Sequence, residues 1–317
     1  MESESRTAVI AALLGNAALV VLKGIAAVAT GSAAMVAETF HSVADTGNQA
    51  LLLLGQRHSR RPPDETHPFG YGRSVYFWAF VVSVMLFTVG GAASVGEAVR
   101  TYLHPHEQES FAWAYGVLAG AFVFEGISLV VGVRMVRRVQ GMRPFTEFWR
   151  DSRDPTLLTV LLEDSAALAS IVIAAGGIAI GQATGNPQWD AAASAIIGLI
   201  LLTVAVLLAF ETYSLLLGET APPEVQQRIR RIVLGDPAVA ALASLHTMHL
   251  GPEALLMAVG VQFRDELTAG AVTAAVSRIQ EKIRAALGDA TTARMIVIEP
   301  TPPPVGAPSS ERRPRVA

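Results

Sequence analysis

The chain has 317 residues, of which 51% are hydrophobic and 16% charged, with a mean hydropathy of +0.42 and a formal net charge of −3. Soluble chains average ~25% charged residues, so this composition points to a membrane protein, and the small net charge offers no field for a nucleic-acid partner. The chain has no cysteine, which excludes a disulfide framework and thiolate metal ligands. Met1 to Arg6 is short and acidic, with no cleavage signature, and reads as the cytoplasmic end of an uncleaved first helix. That helix covers Ala8 to Thr30, interrupted by Asn16 and Lys23, and Gly31 breaks it. A second helix is predicted from Ser32 to Gln56, then a polar loop rich in Arg and Pro to Arg73. The third helix covers Ser74 to Val99, the fourth Phe111 to Val133, the fifth Leu157 to Ile180 and the sixth Asp190 to Leu217. Each run meets the ~20 residues needed to cross the hydrocarbon core, and six spans place both termini on one side.

Arginine placement sets the expected orientation. Arg57, Arg60, Arg61 and Arg73 flank the loop after the second helix. Arg134, Arg137, Arg138, Arg143, Arg150 and Arg153 flank the loop after the fourth. The turns after the first and fifth helices carry none, so the positive-inside rule puts both termini in the cytoplasm.

The second helix holds Glu38, His41, Asp45 and Asn48 on one stripe of an apolar segment. A charge at the bilayer centre costs at least ~2.5–3.5 kcal/mol, so such residues face a polar pathway or a partner. An imidazole with one or two carboxylates on one face suits a divalent cation. A buried polar cluster that joins helices satisfies the same pattern. A second acidic site, Glu163 and Asp164, lies in the fifth helix. Neither segment carries its own Lys or Arg, and Lys23 sits nearer one end of the first helix, so these acids are expected to be protonated or to hold a cation. Glu125 and Glu211 read as solitary acids that hydrogen-bond between helices, and His58, His104 and His106 as solvated loop residues.

After Pro222-Pro223 the composition becomes that of a small soluble domain. Glu224 to Leu234 is an amphipathic helix, Ala241 to Leu250 and Ala254 to Arg264 are strands, Thr268 to Leu287 is a helix and Ala293 to Glu299 a last strand. The order α-β-β-α-β predicts a two-layer α+β domain. The reading divides the chain into a six-helix membrane domain over 1–221, a cytoplasmic domain over 222–300 and a disordered tail over 301–317 rich in Pro, Arg and Ser.

Taken together, the chain resembles the cation diffusion facilitator (cation efflux) family of divalent-metal/proton antiporters. The residues that carry the likeness are Asn16, Lys23 and Gly31-Ser32 in the first helix and His41-Ser42-Val43-Ala44-Asp45, similar to the family's HxxxD. The loop Asp64-Glu65-Thr66-His67-Pro68-Phe69-Gly70-Tyr71-Gly72-Arg73, Asp164 and Asp190 also match. Leu162-Glu163-Asp164 and the run Thr247 to Glu253 look most like the branch that includes the mitochondrial zinc transporter nine. The resemblance implies six transmembrane helices, a cytoplasmic ferredoxin-like domain, a homodimer, and export of Zn²⁺ (or Mn²⁺, Co²⁺ or Fe²⁺) in exchange for protons. It implies no cofactor and no enzymatic activity: the metal is transported substrate.

On this chain the implied site is His41, Asp45 and Asp164. Val160 stands where most zinc members have a fourth ligand, a His. Glu163, and Glu38 or Asn48 on the stripe of the second helix, are the candidate substitutes, and Glu38 is preferred over Glu163. Glu163 is about 100° round the helix from Asp164 and would need a rotated or unwound fifth helix. Asp64 and His67 match a loop metal site of some members, but Tyr71 replaces its further His, and a loop that orders the entrance fits equally. In the soluble domain Asp236 and Val297 occupy places of frequent metal-binding histidines, and His246 and His249 fall on opposite faces of a strand. Arg-rich, Lys-poor usage points to a bacterial plasma (inner) membrane. Two other classes fit parts of the pattern: a membrane-embedded hydrolase using the same carboxylates, and a non-transporting scaffold acting through its soluble domain.

Overall fold

The computed structural model describes residues 2–105, 111–140, 155–252, 254–287 and 292–302. His106, Arg143, Arg150, Arg153 and the tail beyond 302 lie outside the described residues. The chain divides into two compact units, Met1–Leu217 and Gly218–Ala317.

The described residues of the first unit contain α1 (Glu2–Thr30), α2 (Ala33–Ser59), α3 (Ser74–Leu103), α4 (Phe111–Gln140), α5 (Pro155–Thr184) and α6 (Gln188–Leu217). Among the described residues, five of these helices are long and apolar enough to cross a membrane. The sixth, α2, has the length at 27 residues but not the apolarity, because its polar stripe runs through its middle. That stripe faces inward: Glu38, His41, Asp45 and Asn48 are all buried. The outward surface is apolar instead, with Val28 89% and Phe210 71% exposed, as expected where lipid is the solvent. The fold is that of an α-helical, multi-pass membrane protein followed by a small α+β unit.

Small residues bring the helices together. The core is rich in alanine, including Ala26, Ala34, Ala37, Ala44, Ala174, Ala193 and Ala205. At the crossing of α3 and α6, a Cβ on Gly198 would stand 2.9 Å from the Val95 nitrogen and 3.0 Å from the Gly91 carbonyl. The two backbones therefore touch, and the Ser194 hydroxyl donates to the Ser94 carbonyl at 3.0 Å. Just beside this crossing α3 widens into a π-helical segment, Leu86–Ala92, which holds Gly90 and Gly91. The apolar periodicity carries no sign of it, because an extra residue in one turn leaves the composition unchanged.

Asp190 opens α6 and caps a different helix. Gly31 closes α1 in the left-handed region (φ 63°), and Ser32 starts α2 by accepting from the Met35 N–H. The buried Asp190 carboxylate then accepts from the Ser32 hydroxyl at 2.6 Å and from the Ala33 N–H at 2.5 Å. A negative charge at a helix N-terminus meets its unpaired donors and its dipole. The polar stripe of α2 is thereby tied to α6.

The second unit contains α7 (Pro223–Leu234), β1 (Val239–Gly251), β2 (Ala254–Phe263), α8 (Ala269–Leu287) and β3 (Thr292–Pro300). The sheet order is β1-β2-β3, with β1 antiparallel to β2 and β2 parallel to β3. The parallel step is bridged by α8, which buries Ala275, Ile279 and Ile283 at four-residue spacing. Ile279 and Ile283 pack with Ile229, Val233, Leu255, Met257 and Val259 in one core. β1 starts two residues earlier than expected and carries irregularities between Val239 and Ala241, Leu242 and Ser244, and His249 and Gly251, each of which breaks the strict alternation that the sequence pattern assumes.

Candidate metal centre

The α2 stripe is brought against α1 and α5. Within it His41 Nε2 and Asp45 Oδ2 are 2.9 Å apart, the pairing expected of positions i and i+4. His41 is fully buried, and its Nδ1 has no hydrogen-bond partner among the described residues.

α5 supplies two acids without rotation or unwinding. It is one continuous helix, and Glu163 and Asp164 are both buried because each meets a different neighbour. Glu163 accepts from the Asn48 side-chain amide on α2, and Asp164 accepts from the Ser128 hydroxyl on α4 at 2.7 Å. The 100° between them therefore separates their partners rather than removing Glu163 from the interior. Val160, one turn before Asp164, is half-buried.

The expectation that the α2 acids lack a base is corrected. Lys23 of α1 is fully buried, and its ammonium donates to Glu38 Oε2 at 2.8 Å and to the Ser42 hydroxyl at 2.8 Å. Beside it α1 packs on α2, where Gly24 faces Thr39. Glu38 is thus engaged in an ion pair. Glu125 is not solitary either: it is buried on α4 within electrostatic range of Lys23, His41, Asp45 and Asp164. Among the described residues, five carboxylates (Glu38, Asp45, Glu125, Glu163 and Asp164) share this interior with one lysine and one imidazole. Such a group reaches neutrality only by binding protons or a cation.

Among the described residues, no three His, Asp or Glu side chains converge closely enough to hold a metal ion as they stand. His41 and Asp45 engage each other, while Glu163 and Asp164 are held by Asn48 and Ser128. A metal ion would have to exchange with these partners.

The loop candidates Asp64 and His67 are adjacent, 3.6 Å apart, but the Asp64 carboxylate serves the loop itself. It accepts from the Tyr71 hydroxyl (2.6 Å), the Thr66 hydroxyl (2.8 Å) and the His67 and Thr66 N–H groups (2.7 and 3.0 Å). The Tyr71 hydroxyl, with the Thr66 and His67 donors, holds the Asp64 carboxyl well below the usual carboxylate range, and the Tyr71 phenol is raised by donating to it. The His67 and Tyr71 rings are 4.2 Å apart, so Tyr71 closes the loop where a further ligand was missed.

In the second unit Asp236 is buried and accepts two bonds of 2.7 Å from Arg278, a bidentate pair that holds its carboxyl below the ordinary value. His246 is exposed and His249 buried, on opposite faces of β1 as the three-residue spacing requires.

Lys23, Glu125, Ser128 and the capping role of Asp190 were missed from sequence as parts of the site. The only signal for Ser128 is its place one turn after Glu125 on α4, which an amphipathic count cannot distinguish from an ordinary polar position.

Residues 9–217 match the family described as the cation efflux transmembrane domain. The chain is 38% identical over 232 residues to the proton-coupled zinc antiporter SLC30A9, mitochondrial, of Homo sapiens, covering 72% of this chain and 41% of that protein. Identity to the Xenopus laevis protein of that name is 37% over 246 residues, covering 77% and 44%. Identity to metal tolerance protein C4 of Arabidopsis thaliana is 31% over 241 residues, covering 75% and 52%. The chain thus spans about two fifths to one half of the length of these curated relatives.

Proposed function

Because the chain belongs to the cation efflux family, we propose that it is a divalent-cation/proton antiporter that carries Zn²⁺ out of the cytoplasm. The observation that carries the reading is the buried His41–Asp45 pair on α2, enclosed with Glu163 and Asp164 of α5 in the interior of a membrane-spanning bundle. The relatives named as proton-coupled zinc antiporters support the choice of ion and of counter-ion.

The proposed ligands are His41, Asp45 and Asp164, with Glu163 in the fourth place that Val160 leaves open. Glu163 is placed ahead of Glu38 because Glu38 is engaged by Lys23, whereas the partner of Glu163 among the described residues is the neutral amide of Asn48. Each ligand must give up a proton or a hydrogen-bond donor to bind metal. Metal binding to the His41 imidazole needs its nitrogen unprotonated, so protons and metal compete there. When the site opens to the cytoplasm, metal displaces protons. When it opens to the other side, protons displace metal. Rocking of helices around the fixed site would connect the two states. Asp64 and His67 are assigned to ordering the loop at the bundle's edge. Cytoplasmic termini, on the arginine distribution, a homodimer, on the family resemblance, and a bacterial plasma membrane, on the Arg-rich composition, complete the proposal.

The test is Zn²⁺ uptake by the purified protein in liposomes. Asp45→Ala and Asp164→Ala are each expected to abolish uptake while the protein still inserts and remains monodisperse. Uptake near the wild-type rate in either variant would refute the site.

A further inference from the structure

Lys23 is a buried group at the site that the transport cycle above does not use. Resting on that proposed function, we propose that Lys23 is a specificity-determining positioning residue, which withholds the Glu38 carboxylate from the transported cation. Glu38 precedes His41 by three residues and Asp45 by seven, so the three share one stripe of α2. All three are buried. Glu38 Oε2 is 2.8 Å from the Lys23 ammonium, and Oε1 has no hydrogen-bond partner among the described residues. The second bond of Lys23, to the Ser42 hydroxyl at 2.8 Å, fixes the ammonium beside the residue that follows His41. A carboxylate one turn from the imidazole is thus neutralised by a cation that belongs to the protein.

The consequence is chemical selectivity. Oxygen-rich donor sets favour harder cations such as Mn²⁺, whereas Zn²⁺ gains more from imidazole. The interior already holds Asp45, Glu163 and Asp164, and adding Glu38 to the donors would move it further toward oxygen. With Lys23 in place, His41 remains a larger share of the donor set. An ion pair that served only to hold α1 against α2 would leave the choice of metal unaffected.

The experiment measures Zn²⁺ and Mn²⁺ affinities of the full chain in detergent by calorimetry. Lys23→Met releases Glu38, and the ratio of Mn²⁺ to Zn²⁺ affinity is expected to rise about tenfold. Lys23→Arg retains the charge and is expected to keep the wild-type ratio. Lys23→Met combined with Glu38→Gln removes both charges of the pair and leaves no carboxylate at position 38 without its counter-charge, so it tolerates the loss of the pair. In that double variant both affinities are expected to return to within about threefold of wild type, less than 1 kcal/mol. An unmoved ratio in Lys23→Met, a shift that persists in the double variant, or a tenfold loss of Zn²⁺ affinity in the double variant would overturn the inference. If Lys23→Met does not fold, Lys23→Gln, which also removes the charge but keeps a polar side chain beside Ser42, is read for the same rise in the ratio, and an unmoved ratio there overturns the inference. Absence of metal binding by the wild type would instead overturn the proposed function, and this inference with it.

Discussion

Replacing Asp190 tests how the site is held, because this carboxylate fixes the start of the helix that carries His41 and Asp45. Asp190 is fully buried and accepts from the Ser32 hydroxyl at 2.6 Å and from the Ala33 N–H at 2.5 Å, with a longer contact of 3.4 Å to the Ala34 N–H. Asp190→Ala leaves two firm donors buried without their acceptor, at ~1–3 kcal/mol each. Loss of the favourable charge at the N-terminus of α2 adds ~0.3–1 kcal/mol, for a total of about 2–7 kcal/mol. For a unit of this size each kcal/mol lowers the midpoint by ~2–4 °C, so the expected loss is roughly 5–28 °C. Asp190→Asn keeps one acceptor oxygen and is expected to lose about half as much. The assay is thermal unfolding of the purified protein in detergent, followed by tryptophan fluorescence and by loss of the monodisperse peak. A shift of less than ~2 °C in Asp190→Ala would show that these bonds do not hold α2.

Val160→His introduces an imidazole one turn before Asp164, and is expected to tighten Zn²⁺ and reduce Mn²⁺ transport in a competition assay; no change in either would place Val160 off the site. Gly198→Val forces a side chain against the Val95 nitrogen and the Gly91 carbonyl, backbone atoms that cannot yield, and is expected to cost at least ~1–3 kcal/mol in thermal stability. Gly116→Ala meets nothing within 4 Å and is the neutral control. The Asp236 carboxyl is depressed by Arg278, so the pair's contribution is complete above the unfolded carboxyl value of ~3.9 and is lost as pH falls through the lower native value. Arg278→Met is therefore expected to reduce amide-exchange protection of β1 and α8 in the intact protein at pH 7, and to differ little from wild type once the pH is below the native Asp236 value.

Much of the fold was legible because lipid imposes long apolar runs and the loops between them are punctuated by Gly, Pro and Arg. The polar stripe of α2 was legible for the opposite reason: His41, Asp45 and Asn48 have no place in an apolar segment unless they face inward. What the sequence left open depends on neighbours from distant parts of the chain. Lys23 looked too far along α1 to reach Glu38, and only the close approach of the two helices shows the 2.8 Å pair. Glu163 looked misplaced by its 100° offset from Asp164, yet α5 is packed between α2 and α4, so both directions are interior. The π-helical segment in α3 and the capping of α2 by Asp190 from 157 residues away likewise have no local signature.

The central claim is that this intramembrane site exchanges metal for protons, and the sign of a zinc flux tests it most directly. Liposomes containing the purified protein would be given equal Zn²⁺ on both sides and a pH gradient alone. The account predicts net Zn²⁺ movement toward the more acidic compartment, reversal of that movement when the gradient is reversed, and no movement with Asp45→Asn. A flux that ignores the direction of the gradient, or that persists in Asp45→Asn, would contradict it.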